Sequence, residues 1–300
     1  MGVGNFFGML PESMKDSQLT GVELDSISGR IARKLYPNAD IKITGYENTK
    51  FADNSFDFAV GNVPFGDYSL HDKRYDKDHL LIHDYFFVKS LDKVRPGGVV
   101  AFVTSKGTLD KANPAARRLM AERADLLGAI RLPNTAFKAN AGASVTTDIL
   151  FLQKRDTPPE QLPAWTETGK NADGMELNNY FLQHPEMILG TMQEVTTQYG
   201  KDTACVPDPN VELEDLLSAA VLHLGHENVF QSNTQTAAPT SDVFDWNTPD
   251  VSDEVINRVL TAGSNSTHSR ERIAAFFMQP NISMADAAAF LRREYRIGGA

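Results

Sequence analysis

The stretch SFDFAVGNVPFG, residues 55–66, decides the fold, because it joins an apolar strand to a loop of unusual composition. SFDFAV has the apolar and aromatic character of a β-strand, and GNVPFG then places an asparagine, a proline and a phenylalanine between two glycines. The residues alone leave two interpretations open. One is a β-turn with a partly exposed aromatic side chain. The other is a site where Phe65 stacks on a planar group that carries an amine, while Asn62 binds that amine.

Strand-like and helix-like segments alternate on both sides of this stretch, which is typical of an α/β fold with a mainly parallel sheet. The periodicity predicts a helix from Ser26 to Tyr36, with Ile27, Ile31 and Leu35 on one face. Two more helices are predicted at residues 79–95 and 113–124. The predicted strands other than SFDFAV are LTGVEL (19–24), IKITGY (41–46), GVVAFVTS (98–105), LLGAIRL (126–132) and TTDILFLQ (146–153).

Three features fall at the carboxyl ends of these strands or just before a helix, where open α/β sheets bind their ligands. Gly2 and Gly4 form a G-x-G pair that allows a ligand to approach the backbone closely. Glu23 follows 19 residues after Gly4, near the spacing of acidic residues that accept hydrogen bonds from ribose hydroxyls. The third feature is the loop at residues 61–66.

This order, G-x-G, then VEL, then N-x-P-F, resembles the class I S-adenosylmethionine-dependent methyltransferases, and especially the N6-adenine DNA methyltransferases with an Asn-Pro-Pro-Tyr/Phe motif. The stretches NVPFGDY, HDYFFVKSLDKVRPGGVVAFVTSKGTLDK, GAIRLPNTAF and TTDILFLQKR are similar to the methylase part of phage and mobile-element proteins that join a methylase to a helicase. They are more distantly similar to the modification subunits of type I restriction systems. The strong similarity covers residues 1 to about 155.

The resemblance implies a role for each matching residue. S-adenosylmethionine is the implied cofactor, and Asn62, Val63, Pro64 and Phe65 are the implied catalytic loop, in which two carbonyl oxygens bind the adenine amine and Phe65 stacks on a base flipped out of the duplex. Val63 replaces the usual first proline, but its contact is made by a backbone carbonyl. The implied cofactor-binding residues are Gly2, Gly4 and Asn5 at the methionine part, Glu23 at the ribose, Leu24 at the adenine ring, and Tyr46 or Glu47 at the adenine amine.

The resemblance also implies a Rossmann-like sheet that lacks its first, central strand, because the chain begins inside the glycine motif. We therefore expect a truncated methyltransferase, with two sheet neighbours left unpaired and apolar surface exposed.

The composition predicts how the rest of the chain is organised. Residues 157–253 contain 16 Asp and Glu and only two lysines, whereas the remaining residues contain 27 basic and 23 acidic side chains. The predicted domains are a catalytic domain at 1–156, an acidic, irregular linker region at 157–253 and a small helical tail at 254–300. The single cysteine, Cys205, excludes an intramolecular disulfide, and with no apolar run of membrane length we expect a cytoplasmic protein.

A DNA-facing surface is expected beside the catalytic loop. Lys106, Arg131 and Lys138 lie at predicted strand ends or loops where they would contact phosphates, and Phe137 would line the pocket of the target base. The histidines His71, His79 and His83 are better explained as solvated or capping side chains than as metal ligands, and no metal is expected. The predicted partners are DNA and a helicase domain in the same or a longer polypeptide, without a membrane.

The expected activity is adenine-specific methylation of DNA. Two alternatives stay open: methylation of a glutamine side-chain amide in proteins, which uses the same Asn-x-Pro-aromatic loop, and an inactive remnant or interaction module of a longer methylase–helicase protein.

Overall fold

The computed structural model describes residues 1–137, 144–197 and 200–224, all of which belong to one unit that runs from Met1 to Asn233. Helices and strands alternate as predicted over the first 155 residues. The strands are β1 Thr20–Glu23, β2 Asp40–Ile43, β3 Phe56–Asn62, β4 Val94–Ser105, β5 Ala124–Leu132, β6 Thr147–Lys154, β7 Thr168–Lys170, β8 Glu176–Asn178, β9 Thr191–Thr197 and β10 Gly200–Val206. The helices are α1 Asn5–Gly8, α2 Ser26–Leu35, α3 Ile82–Lys93, α4 Gly107–Asp110, α5 Ala115–Ala121, α6 Asn179–Gln183 and α7 Leu213–His223.

The main sheet has four strands in the order β3-β4-β6-β5. β3 and β4 are parallel, whereas β6 is antiparallel to both of its neighbours, so the sheet is mixed rather than mainly parallel. β1 and β2 form a separate parallel pair. The α/β class is confirmed, and the carboxyl ends of β1, β2, β3 and β4 carry the segments that the sequence singled out.

The pair β1-β2 and the main sheet are not joined by strand pairing among the described residues. Within the described residues β3 pairs only with β4, and its side chains Phe58 and Val60 are 41% and 54% exposed. The apolar face predicted for α2 is also exposed, since Ile27 is 65% and Leu35 59% accessible. These observations match the expectation of unpaired sheet neighbours and exposed apolar surface.

The core of the main sheet lies under α3. Phe87 and Leu91 of this helix are fully buried, and the Phe87 ring meets Phe102 of β4 edge-on at 5.1 Å between centroids. Leu150 and Leu152 of β6 are also fully buried. Each such side chain contributes about 1.5–3 kcal/mol relative to an exposed position, so the packing of α3 against β4 gives the loop that connects β3 to α3 a stable support.

Residues 157–224 are not the irregular linker that the composition predicted. They form β7 to β10, α6 and α7, and Trp165, Phe181 and Met187 belong to the same hydrophobic core as the main sheet. The backbone N–H of Leu189 donates to the carbonyl of Arg131 at 2.9 Å, which joins this segment to β5. The prediction was wrong because the acidic residues occupy exposed positions between widely spaced apolar anchors. Residues 225–253 of the predicted linker and the predicted tail at 254–300 lie outside the described residues.

In the part of the chain that the structure describes, none of the helices has both the length and the apolar character needed to cross a membrane.

Candidate active site

The loop after β3 presents a fixed backbone corner with an exposed aromatic ring. The backbone N–H of Val63 donates to the carbonyl of Val103 in β4 at 3.1 Å, and the Val63 side chain is buried at 4% exposure. On either side of this anchor, Asn62 and Pro64 are exposed, and the Phe65 ring is 40% exposed. A ring buried in the core would have removed the stacking surface. The geometry instead leaves Phe65 free to contact a planar ligand.

The structure brings Gly2 and Glu23 together. Oε2 of Glu23 accepts hydrogen bonds from the backbone N–H of Gly2 at 2.6 Å and from the Met1 ammonium at 2.9 Å. Oε1 accepts the backbone N–H of Asp25 at 2.8 Å. Partial burial raises the pKa of Glu23, but the hydrogen bonds from Asp25, Met1 and Gly2 outweigh it, so the pKa is lowered and the group is a carboxylate at neutral pH.

The glycine loop needs glycine at both positions. Gly2 and Gly4 have φ angles of 62° and 94°, in the left-handed region that side chains rarely adopt. A Cβ atom on Gly4 would also lie 2.6 Å from the Tyr36 ring, whereas a Cβ on Gly2 would meet nothing within 4 Å. The backbone at Gly2 therefore borders open space. Asn5, the first residue of α1, is exposed, and so is Leu24 at 76%.

Tyr46 and Glu47 follow β2 and have different environments. The Tyr46 hydroxyl lies 2.9 Å from Oγ of Ser90 in α3, and burial raises the pKa of Tyr46 to about 12. The Glu47 side chain is partly exposed, and its Oε1 accepts a hydrogen bond from Asn48 at 2.7 Å. Glu47 thus offers a carboxylate acceptor toward solvent, while Tyr46 attaches the segment to α3.

A buried lysine, which the sequence interpretation missed, connects the segment after β2 with the segment after the catalytic loop. Nζ of Lys89 donates to the carbonyl of Tyr46 at 2.7 Å, and it lies 3.0 Å from both Oδ2 of Asp72 and the hydroxyl of Tyr85. Lys89 is only 2% exposed. Burial lowers its pKa, and the neighbouring Asp72 carboxylate opposes that effect. The available signal was a charged residue in an otherwise apolar stretch of α3.

Arg131 is not a DNA contact, contrary to the prediction. Its side chain is 0% exposed, its Nε and Nη2 donate to the two carboxylate oxygens of Asp148 at 2.8 and 2.9 Å, and its Nη1 lies 2.7 Å from Oδ2 of Asp110. The guanidinium also lies over the Phe181 ring, 4.2 Å from its centroid. The prediction failed because Arg131 and Asp148 are direct cross-strand partners on β5 and β6, so the charge is neutralised inside the protein.

The prediction for Lys106 is also wrong for this conformation. Its Nζ donates to Oδ1 of Asp202 at 2.5 Å and to the carbonyl of Thr203 at 2.6 Å. The ammonium group is therefore bound by residues of strand β10 and not left to contact a phosphate. Phe137 is partly buried and contacts the hydrophobic core, and Lys138 lies outside the described residues.

The histidines have no arrangement typical of a metal site. His71 is exposed and its Nδ1 lies 2.8 Å from Oδ2 of Asp76, whereas His83 is buried and burial lowers its pKa. Among the described residues there is no group of three or more His, Cys, Asp and Glu side chains that could hold a metal ion.

Several solved structures similar to this chain are methyltransferases by their descriptions. A protein from Listeria monocytogenes, assigned as a class I S-adenosylmethionine-dependent methyltransferase, is 20% identical with a TM-score of 0.44, and the match covers 54% of each chain. A modification subunit assigned to a type I restriction enzyme from Vibrio vulnificus YJ016 is 16% identical with a TM-score of 0.44, over 72% of this chain and 55% of that one. All these TM-scores are low, so the fold assignment rests on the elements described above.

Among characterised proteins, the Defense against restriction protein B of Escherichia phage P1 is 34% identical over 142 residues. The match covers 45% of this chain but only 6% of the phage protein, so the chain spans a small part of the length of that relative. No family model matches the chain.

Proposed function

We propose that this chain carries the site of an S-adenosylmethionine-dependent methyltransferase that methylates the N6 amine of an adenine flipped out of DNA. The observation that carries the proposal is the loop after β3, where exposed Asn62 and the 40% exposed ring of Phe65 flank the buried anchor Val63. The name of the phage P1 relative, a protein of defense against restriction, agrees with a role in DNA modification.

The residues at the ends of β1 and β2 fit the cofactor. Three N–H donors occupy three of the roughly four acceptor sites of the Glu23 carboxylate, so the remaining site on Oε1 would accept one ribose hydroxyl. Open space beside Gly2 leaves room for a ligand against the backbone, and Glu47 would accept the amine of the cofactor adenine. When bound, S-adenosylmethionine supplies a methyl group attached to a positively charged sulfur.

The loop itself provides positioning. The N6 amine is a poor nucleophile because its lone pair is delocalised into the purine ring. The side-chain oxygen of Asn62 and the backbone carbonyl of Val63 accept its two hydrogens, which favours a pyramidal nitrogen with a localised lone pair. Phe65 stacks on the base, a contact worth about 1–3 kcal/mol. The new N–C bond would form as the amine lone pair attacks the methyl carbon; the bond from that carbon to sulfur would break at the same time, its electron pair would leave with sulfur as a neutral thioether, and the surplus proton of the amine would pass to water. The rate comes from holding these groups in line.

A methyl-transfer assay with duplex DNA and radiolabelled S-adenosylmethionine tests the proposal. Removing one polar contact to a reacting group costs about 10²–10³ in rate, so Asn62→Ala should lose at least about 10²-fold in kcat, since Asn62 is exposed and its loss leaves the fold intact. The exposed turn residue Asn210 gives the matched control Asn210→Ala, which should keep full activity. Phe65→Tyr should retain most of the activity, and Phe65→Leu should lose it. Label that enters DNA lacking adenine, or that does not depend on Asn62, would refute the assignment.

A second candidate is supported by the edge of β3 that pairs with no strand in the described part of the chain and by its exposed side chains Phe58 and Val60. These features favour an interaction module within a longer polypeptide, such as one with a helicase domain. Calorimetric titration with S-adenosylmethionine separates the two candidates. The methyltransferase site predicts saturable binding that Glu23→Ala weakens, whereas a folded chain that releases no heat would support the interaction module. A glutamine-containing peptide offered in the transfer assay covers the remaining alternative, amide methylation.

A further inference from the structure

Tyr68, just after the catalytic loop, is a second exposed aromatic residue near the proposed site. It is 54% exposed, compared with 40% for Phe65. In the described part of the chain, its hydroxyl has no hydrogen-bond partner and no other aromatic ring packs on its ring. Single exposed aromatic residues are common on protein surfaces, so the attachment of this ring and its distance from Phe65 decide what it can do.

The Tyr68 ring lies against the residue that follows Phe65. A Cβ atom on Gly66 would be only 2.8 and 3.0 Å from Cε1 and Cδ1 of the Tyr68 ring, so one ring edge rests on the Gly66 backbone. Gly66 is not among the glycines with a left-handed φ angle, so the close approach of the ring, and not the backbone conformation, requires a glycine here. Three residues of chain span at most about 11 Å, which places the Cα of Tyr68 within that distance of the Cα of Phe65. Both exposed rings are therefore within reach of one bound segment of DNA.

The backbone of Tyr68 is held in place. Its carbonyl accepts the backbone N–H of Ile82, the first residue of α3, at 2.9 Å, and Ile82 is buried. At the other end of the loop, the N–H of Val63 donates to the carbonyl of Val103 in β4. The segment from 63 to 68 is thus anchored at both ends, and little backbone freedom is lost when the ring meets a ligand.

The surroundings of the Tyr68 ring limit what it can contact. Because one ring edge rests on Gly66, a base cannot enter between the ring and the loop backbone at that residue. Asp67 is exposed between the two aromatic residues, and its carboxylate would repel a DNA phosphate. The ring is therefore suited to contact bases and not the sugar–phosphate backbone. Side chains that insert between base steps stabilise a distorted duplex in this way.

A base that is flipped out of a duplex leaves a gap between its two neighbours, which lose their stacking on it. We propose that the Tyr68 ring fills this gap in the DNA, while Phe65 holds the adenine that has left it. The ring replaces part of the lost stacking and so makes the flipped state more favourable. This inference rests on the proposed function, because only a flipped target adenine creates the gap.

Fluorescence anisotropy of labelled oligonucleotides tests the proposal with the full chain. The probes are a short duplex with one central abasic position, the same duplex with every base paired, and its adenine-containing strand alone. An abasic position is a gap that already exists, and it contains no base for Phe65 to hold. The wild type should therefore bind the abasic duplex about tenfold more tightly than the paired duplex, the equivalent of one stacking contact.

Variants at the two aromatic positions should behave differently. Tyr68→Ala should lose the preference for the abasic duplex, and Tyr68→Phe should retain it, because the ring is kept and the hydroxyl has no partner among the described residues. Phe65→Leu should also retain the preference, although it should weaken binding to the single strand. Leu222 in α7 is 70% exposed and gives the remote control Leu222→Ala, which should match the wild type. Tyr68 is exposed and held through its backbone, so its replacement should leave Tm unchanged.

Two results would overturn the proposal. One is a wild-type chain that binds the abasic and paired duplexes equally well, and the other is a Tyr68→Ala variant that keeps the preference. If that variant instead loses single-strand binding as Phe65→Leu does, Tyr68 stacks on the target base and does not fill the gap.

The result is independent of the methyl-transfer assay. A preference for the abasic duplex that depends on Tyr68, without methyl transfer, would support the role of Tyr68 and contradict the proposed reaction. Methyl transfer that depends on Asn62, without any preference for the abasic duplex, would do the reverse.

Discussion

Replacing Arg131 with methionine should destabilise the protein and should not act through lost contact with DNA. Methionine retains much of the apolar stem, but it removes a guanidinium that is 0% exposed and that contacts the carboxylates of Asp148 and Asp110. Asp148 is itself fully buried, so it would be left without its counter-ion. The stacking of the guanidinium on Phe181 would also be lost.

The magnitude follows from the burial of the pair. Removing one partner of a buried ion pair costs about 3–5 kcal/mol, because the remaining charge is desolvated and uncompensated. For a domain of this size each kcal/mol lowers Tm by about 2–4 °C, so Arg131→Met should lower Tm by about 6–20 °C. An exposed pair makes the comparison: Arg118 and Glu167 are 2.7 Å apart with side chains 50% and 46% exposed, and Arg118→Met should cost at most about 1 kcal/mol.

The pH dependence of this loss has a definite sign. Burial raises the pKa of Asp148, and Arg131 opposes this effect. Without Arg131 the folded-state pKa should rise further above the unfolded value, so the folded state binds a proton more readily than the unfolded state. The stability deficit of Arg131→Met should therefore be largest at neutral pH and shrink as the pH falls toward about 5.

Urea unfolding measures these effects in four proteins: the wild type, Arg131→Met, Arg118→Met and the double variant Arg131→Met/Asp148→Asn. The double variant should recover part of the loss, because it leaves no unpaired charge on β6. An Arg131→Met protein with wild-type stability and weakened DNA binding would refute the structural role and restore the original interpretation of Arg131 as a phosphate contact.

The remaining predictions concern the cofactor residues, the exposed apolar face and the cysteine. Glu23→Gln should weaken S-adenosylmethionine binding about tenfold in calorimetry, the effect of one lost charge-assisted hydrogen bond, and equal affinity would contradict the role of Glu23. Leu35→Ala, at a position 59% exposed, should change the unfolding free energy by no more than about 0.5 kcal/mol, whereas Leu150→Ala, at a fully buried position, should cost about 2–5 kcal/mol. Cys205 should react with a thiol reagent at pH ~8 only after unfolding, because burial raises its pKa to about 12 and keeps the thiol protonated; rapid labelling of the native protein would contradict this.

The strands and helices of the first half were predictable because their periodicity is local. The helix predicted from Ser26 to Tyr36 ends one residue earlier, and Asp25 caps it by accepting the backbone N–H of Ser28 at 2.7 Å. Whether another element packs on the apolar face of a helix depends on residues distant in sequence, however. The spacing of Ile27, Ile31 and Leu35 correctly indicated a shared face, but a sequence pattern does not indicate whether a neighbour lies on it.

The errors in the site have the same origin. A lysine or arginine at a strand end has the same sequence signature whether it faces solvent or a carboxylate on the next strand. The register of β5 against β6 places Arg131 opposite Asp148, and strand β10 brings Asp202 to Lys106 from 96 residues away. By contrast, the positions of Glu23 and of the loop at 62–65 were predictable, because Glu23 ends β1 and Asn62 ends β3; the roles of these residues stay predictions.

The buried Lys89 of α3 explains how two parts of the candidate site, the segment after β2 and the segment after the catalytic loop, keep a fixed relative position. No strand ladder joins β2 to β3 among the described residues, so the segment after β2 needs another attachment. Lys89 supplies it by binding the Tyr46 carbonyl and the Asp72 carboxylate at once, and Ser90 adds a bond to the Tyr46 hydroxyl. Because Asp72 also accepts a hydrogen bond from the Tyr85 hydroxyl, the segment after β2 and the segment after the catalytic loop share one rigid support, α3.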